Sequence, residues 1–440
     1  MGEQPVTGAE IGAAAPVSSA ERISAIDTLR GVAVLGILVM NIYAFAMPFQ
    51  AYMNPLPMGG LEWYNQATWI FTHVFFDQKF LTIFALLFGA GLVIMWQRAE
   101  QRGARPGRVW YRRQAWLLVI GAVHAYLIWW GDILFHYALM GMFVYLFRKW
   151  QPKGLIILAC CMLPVALVFS YGGSYYMEDL RTQASELAGL IDAGEELNDE
   201  QQEVREQWEA MQPFMDPTPE SLQKDVDTHL GSYGGIVAYR APTVAMMQAQ
   251  NTLSFALWRV GGLMILGMAL MKLGILSGQR DAAFYRRMAL LGYGLGLPIL
   301  AFSAVNLYAH GFEPLYMFRI GMAPNYVGSV LVSFGHIALV MLIVKSGAWS
   351  MLMARFAAVG QMALTNYLMH SVVMTTIFYG YGFGLYGSVP RLAQMSFVVA
   401  LIGFQLWLSP LWLSRYRFGP VEWLWRSLTY WRRQPMLRSP

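Results

Sequence analysis

Residues 31–47 read GVAVLGILVMNIYAFAM, a run without a single charge. A helix needs about 20 mainly apolar residues to cross the hydrocarbon core of a bilayer, and this run with its flanks meets that length. Nine further apolar runs follow, at 80–96, 115–130, 133–147, 155–171, 253–271, 288–308, 326–344, 359–379 and 392–413. The third and fourth are the shortest. An unpaired backbone group in lipid costs several kcal/mol, so the runs are predicted to be helices. The strict alternation of an outer-membrane barrel is absent. The fold class predicted is an all-α integral membrane protein of about ten transmembrane helices. Composition agrees: 57% of 440 residues are hydrophobic and only 13% are charged, against about 25% charged for a soluble domain.

Charge sets the orientation. The linker after the second run, QRAEQRGARPGRVWYRR at 97–113, carries six arginines against Glu100, which the positive-inside rule assigns to the cytoplasm. With ten spans, the N and C termini are then both cytoplasmic. Residues 1–20 are Ala/Gly/Ser-rich, expected to be a disordered N-terminal segment, and lack the apolar core of a signal peptide. Residues 21–173 hold helices 1–5, and 174–250 form an acidic extracytoplasmic insertion with 15 acids against 4 Lys/Arg. Its Gly194 suggests a break between two helices, serving as a cap or as a spacer. Residues 251–413 hold helices 6–10, and 414–440 a basic cytoplasmic tail. The net charge of +5 reads as topology and attraction to the lipid bilayer, not nucleic-acid binding. Cys160 and Cys161, adjacent in the fifth run, offer no disulfide framework, and one is expected to pack as a small core residue.

Ionisable groups at membrane depth usually face a cavity or a partner, so they map a candidate site. His73 and Asp77, four apart, share a helical face, and the carboxylate can hold the imidazole as a catalytic base requires; Lys79 can instead anchor Asp77. His124, Asp132 and His136 form the densest proton-handling cluster, or a buried structural one. Asp27 and Arg30, three apart, with Asn41 further along, suit an entrance ion pair that fixes helix register. Asn366 and His370 share a face in the ninth run, where such groups often join helices. No metal site is expected, because no His/Glu motif of the catalytic zinc type occurs.

Four stretches, IDTLRGVAVLGILVMN (26–41), KFLTIFALLFGAG (79–91), GQMALTNYLMHS (360–371) and FGPVEWLWRSLTY (418–430), resemble in that order the hallmarks of the bacterial YeiB-like family, whose shared domain has no established function. The resemblance runs from about Arg22 to Tyr430 and implies a multi-pass protein of the bacterial plasma membrane. That family in turn is distantly similar to membrane acyltransferases such as heparan-α-glucosaminide N-acetyltransferase. Asp27, Arg30, Gly31 and Asn41 match their first span, and a histidine after that span, here His73, serves the chemistry. This likeness implies an acyl-CoA donor on the cytoplasmic side and a glycan or lipid acceptor outside, with no resident cofactor required. Arg105, Arg108, Arg112 and Arg113 suit the coenzyme's phosphates. Transport of a small molecule or lipid is the rival, kept open by Gly292, Gly294, Gly296 and Pro298, which are expected to break the seventh helix. A lipid-binding or signalling role without chemistry is the third reading.

Overall fold

The computed structural model describes residues 24–103 and 106–438, so the expectation for residues 1–20 and the placement of Arg105 lie outside the described residues. Every apolar run is helical. The helices are α1 (Ser24–Ala46), α2 (Phe49–Met53), α3 (Trp63–Phe75), α4 (Lys79–Gln101), α5 (Gly107–Val123), α6 (Leu134–Val144), α7 (Pro152–Met162), α8 (Val165–Asp192), α9 (Asp199–Met215) and α10 (Pro219–His229). They continue with α11 (Tyr233–Asn251), α12 (Gly261–Lys272), α13 (Ala282–Ala309), α14 (Pro314–Tyr316), α15 (Ala323–Ser346), α16 (Ser350–Gln361), α17 (Ala363–Phe378), α18 (Arg391–Arg415) and α19 (Pro420–Tyr430). Among the described residues no strand forms, only an isolated bridge between Tyr416 and Leu437.

Seven helical stretches among the described residues are long and apolar enough to cross a membrane, with Leu134–Phe147 a shorter apolar helix beside them. Burial separates two kinds. α1 is apolar on every side and buried almost throughout, as a helix at the centre of a bundle must be. α13 buries one stripe, Tyr285, Gly292, Gly296, Leu300, Ser303, Ala304 and Leu307, and exposes Leu290, Leu291, Leu295, Phe302 and Val305 on the other side. An outward face that apolar is what lipid contact requires. The α4–α12 crossing is as close as backbones allow: a Cβ at Gly89 would collide with the Met264 carbonyl, and one at Gly267 with that of Leu86.

The bundle has two ends. At one, Lys272 donates to the carbonyls of Arg148 and Trp150, Lys345 to that of Gly278, and Trp425 to that of Arg113. At the other, Tyr233 and Arg240 donate to Leu127 and Ile128, and Gly380 to His229. The Arg-rich linker belongs to the first end and the acidic insertion to the second.

The break expected at Gly194 is there, with φ 81° between α8, which carries on from the bundle to Asp192, and α9; α9 and α10 are capped by Asn198 and Thr218, and α11 leads back in. Two expectations change. α13 is not broken, because Gly292 and Gly296 seat it against α15 and the helix runs on through Pro298. Both cysteines are exposed on α7, so neither is a core residue.

Candidate functional site

Two cavities lie in succession along α4. The insertion-side cavity, about 340 Å³, is lined by Leu81, Thr82 and Ala85 of α4 together with His73, Asp77, Asp132, His136, Gln248 and Arg259. The basic-side cavity, about 260 Å³, takes Phe84, Leu87, Phe88, Gly91 and Arg98 of the same helix. At 1.5 Å per residue, Thr82 to Arg98 spans about 24 Å. A thin wall parts the two. Tyr137, on the first cavity, donates to the Leu81 carbonyl at 3.0 Å; Tyr367, on the second, donates to the Gly131 carbonyl at 3.4 Å.

Local backbone explains how polar groups reach the first cavity. α3 and α4 are split by Gln78, whose φ of 61° is left-handed, a strained conformation for a non-glycine residue that here sits on the cavity wall. Helices also widen to π geometry at His124–Ile128, Thr252–Val260 and Met317–Gly321. Each of the three contributes lining residues: Ala125, then Phe255, Ala256, Arg259 and Val260, then Met317. Wide turns of this kind free backbone and redirect side chains, and they cluster at functional sites.

His73 stacks on Trp69 with ring centres 4.6 Å apart. Its Nδ1 lies 3.3 Å from Asp77 Oδ2 and its Nε2 3.2 Å from the buried Ser303 hydroxyl. Asp77 also accepts from Asn325 Nδ2 at 2.6 Å. Lys79, fully buried, donates to Asn325 Oδ1 at 3.0 Å and to the His73 carbonyl at 2.5 Å, so it reaches Asp77 through Asn325. Across the cavity the pattern repeats. His124 Nδ1 lies 2.7 Å from Asp132 Oδ1 and Nε2 2.8 Å from the Ser371 hydroxyl, while the Phe135 amide donates to Asp132 Oδ2. Both imidazoles thus have both ring nitrogens engaged, in Ser–His–Asp order. His136, on the first turns of α6, has a buried Nε2 with no hydrogen-bond partner, and the side chain lines the cavity.

The structure therefore gathers His73, Asp77, Asp132 and His136 around one cavity, with His124 behind Asp132. It leaves others apart. His370 pairs with Gln405 at 2.9 Å, and Asn366 donates to the Val359 carbonyl and the Ser409 hydroxyl, joining α17 to α18. Asn41 is not among the lining residues of either cavity.

The basic-side cavity is lined by Arg30, Arg98, Arg102, Arg113 and Arg426 against the carboxyls of Asp27 and Glu422. Asp27 and Arg30 form the expected pair at 3.3 Å. Arg113 lies 3.7 Å over the Trp425 ring, which sets α19 as the cavity's floor. Arg108 is exposed, and Arg112 turns to Trp431, 5.5 Å from the ring centre, so neither joins the lining. Glu422 accepts from the Leu364 and Thr365 amides at 2.7 and 2.9 Å, at the start of α17. Burial pushes its carboxyl up from the ordinary value, although the Thr365 donors pull it down. Among the described residues no group of His, Cys, Asp and Glu has the geometry to hold a metal ion.

Residues 270–432 match the family described as "Protein of unknown function (DUF418)". The chain is 32% identical to the uncharacterized protein YeiB of Escherichia coli over 422 residues, covering 93% of this chain and 96% of that one. It is 30% identical to the uncharacterized protein YxaH of Bacillus subtilis over 442 residues, covering 96% and 98%. An uncharacterized 39.9 kDa protein of Bacillus acidopullulyticus, from an amylase 3′ region, is 24% identical over 426 residues, covering 96% and 98%. No solved structure matches the chain.

Proposed function

The chain belongs to the YeiB-like family, whose function is unknown, and on that footing we propose that it is a membrane acyltransferase. It takes an acyl group from a cytoplasmic acyl-CoA and delivers it to an acceptor, a glycan or a lipid, outside the plasma membrane. The observation that carries the reading is the pair of cavities stacked on α4, one rich in arginine and the other in imidazole and carboxylate.

Five arginines against two carboxyls give the basic-side cavity a surplus of positive charge, suited to the coenzyme's phosphates. Its apolar wall of Phe84, Leu87, Phe88 and Met95 suits the pantetheine arm and acyl chain. In the other cavity the acceptor's hydroxyl or amine attacks the thioester carbonyl carbon. The carbon–sulfur bond breaks, an imidazole takes the acceptor proton and hands it to the leaving sulfur, and the coenzyme leaves as its thiol. His73 and His124 are held in single orientations by Asp77 and Asp132, and His136 offers the free ring nitrogen. This scheme takes the seven long spans together with the passes of α5, α6 and α16–α17 as ten crossings, with both termini in the cytoplasm.

The test is slow thioester turnover by purified protein. His136→Gln or Asp132→Asn is expected to lower it by about 10²-fold or more while coenzyme A binding is kept. Turnover unchanged in both, and in His73→Gln, would set the chemistry aside. Transport is the second reading, favoured by two cavities opposed across a two-tyrosine wall. The unbroken α13 removes the feature that pointed to it in the sequence.

A further inference from the structure

Arg259 is 3% exposed and lines the insertion-side cavity. Its guanidinium donates to the Tyr326 carbonyl at 3.0 Å, the Ser329 hydroxyl at 2.8 Å and the Thr82 hydroxyl at 3.4 Å, and lies 3.9 Å over the Tyr326 ring. All of these partners are neutral. They fix the direction of the group without cancelling its charge. The cavity's two carboxylates are committed elsewhere, Asp77 to His73 and Asn325, and Asp132 to His124 and the Phe135 amide. Lys79, another buried cation, is tied to Asp77 through Asn325. Among the described residues no carboxylate pairs with Arg259.

A buried cation with oriented but neutral neighbours, facing a cavity, is half of an ion pair. Thr82 puts it at the cavity's inner end, since Tyr137 of the wall is bonded to Leu81 next to it. A further donor faces the same space: Gln248 Oε1 accepts from Tyr126, which leaves its buried amide nitrogen without a partner.

We propose that the insertion-side cavity binds a ligand carrying an anionic group, phosphate or carboxylate, seated on Arg259, with an apolar portion against Met40, Leu81, Val260 and Leu263. The proposal concerns what this cavity holds, and it stands whether the cavity serves group transfer or passage.

The basic-side cavity also attracts anions, so the test reads the other one alone. Phe255 lines the insertion-side cavity and is 40% exposed. A Phe255→Cys reporter, with Cys160 and Cys161 changed to serine, is labelled with a thiol reagent in phosphatidylcholine nanodiscs. At ten times its dissociation constant, hexyl phosphate is expected to slow labelling about tenfold, by simple occupancy, and hexanol to leave it unchanged. Arg259→Gln is expected to abolish the protection and Arg259→Lys to retain part of it. Protection by inorganic phosphate alone would mark a soluble anion, and protection only with phosphatidylglycerol in the disc a lipid headgroup; either supports the site. Equal slowing by hexanol and hexyl phosphate, or full protection in Arg259→Gln, would overturn it. If Arg259→Gln does not fold, the contrast between hexyl phosphate and hexanol in the reporter decides.

Discussion

Gly292 and Gly294 lie two residues apart on α13, and alanine at these positions is expected to act in opposite directions. A Cβ at Gly292 would stand 2.6 Å from the Leu331 carbonyl oxygen and 2.7 Å from the Gly335 amide nitrogen, both backbone atoms of α15. Real Cβ atoms do not approach closer than 3.0 Å, and ordinary contact begins at 3.4 Å, so the two helices must part by several tenths of an ångström. Overpacking of this kind costs about 1–3 kcal/mol. Gly294 is exposed and has nothing within 4 Å of its Cβ position, so alanine there gains about 0.5–1 kcal/mol of helix propensity. The consequence reaches the site, because α13 carries Ser303 against His73 and α15 carries Asn325 against Asp77. Thermal unfolding in nanodiscs of fixed lipid composition reads the difference: a lower midpoint for Gly292→Ala and an equal or higher one for Gly294→Ala. Equal destabilisation by both would mean that these glycines serve as flexible joints, and the close-packed account of α13 and α15 would be wrong.

Glu422 has its carboxyl raised by burial, so the folded state holds that proton more tightly than the unfolded chain. Its stabilising contribution is complete below the unfolded value of about 4.3 and is lost as pH rises through the raised folded value. Glu422→Gln is therefore expected to gain on the parent in melting temperature from pH 4 to pH 8, and a constant difference would contradict this. Asp225 accepts from Tyr386 at 2.9 Å and Tyr239 at 3.3 Å and pairs with His229, a latch between the insertion and the bundle. Asp225→Asn is expected to cost about 1–3 kcal/mol and to speed trypsin cleavage at Lys224; unchanged cleavage would show the latch to be dispensable. For orientation, an impermeant thiol reagent on intact cells should label Gln202→Cys and spare Arg108→Cys, both in a cysteine-free background. The reverse pattern would invert the topology.

The helices were readable because apolar runs and charged linkers are long, one-dimensional signals. The same signal misjudged α13, since a glycine in a helix reads alike whether it breaks the helix or seats a neighbour; Leu331 and Gly335 decide, and they are some forty residues away. Of the site, the i, i+4 spacing of His73 and Asp77 was legible, and so was the cluster of His124, Asp132 and His136. Ser303, Ser371 and Asn325 were not, because a lone serine or asparagine in an apolar run is indistinguishable from helix glue; Arg259 stood out as a charge inside the run 253–271, but its partners Tyr326, Ser329 and Thr82 are far away in sequence. Only the fold shows that His73 and His124 have both nitrogens taken. The arginines expected to suit a coenzyme's phosphates were read from a linker, where local charge density is the visible cue. Of these, Arg113 lines the basic-side cavity, and the fold joins it there with Arg98 and Arg102 of the same linker and with Arg30 and Arg426, which are distant in sequence.

Binding of a coenzyme A species to the arginine-lined cavity is the most direct test of the proposed acyl transfer. Thermal unfolding in phosphatidylcholine nanodiscs is measured with coenzyme A, acetyl-CoA and a long-chain acyl-CoA. A ligand bound only by the folded state adds about 2.7 kcal/mol at 100 times its dissociation constant. At least one of the three is expected to raise the melting temperature of the parent, with a smaller rise in Arg113→Gln and an undiminished one in His136→Gln. No shift with any of the three would contradict the acyltransferase account.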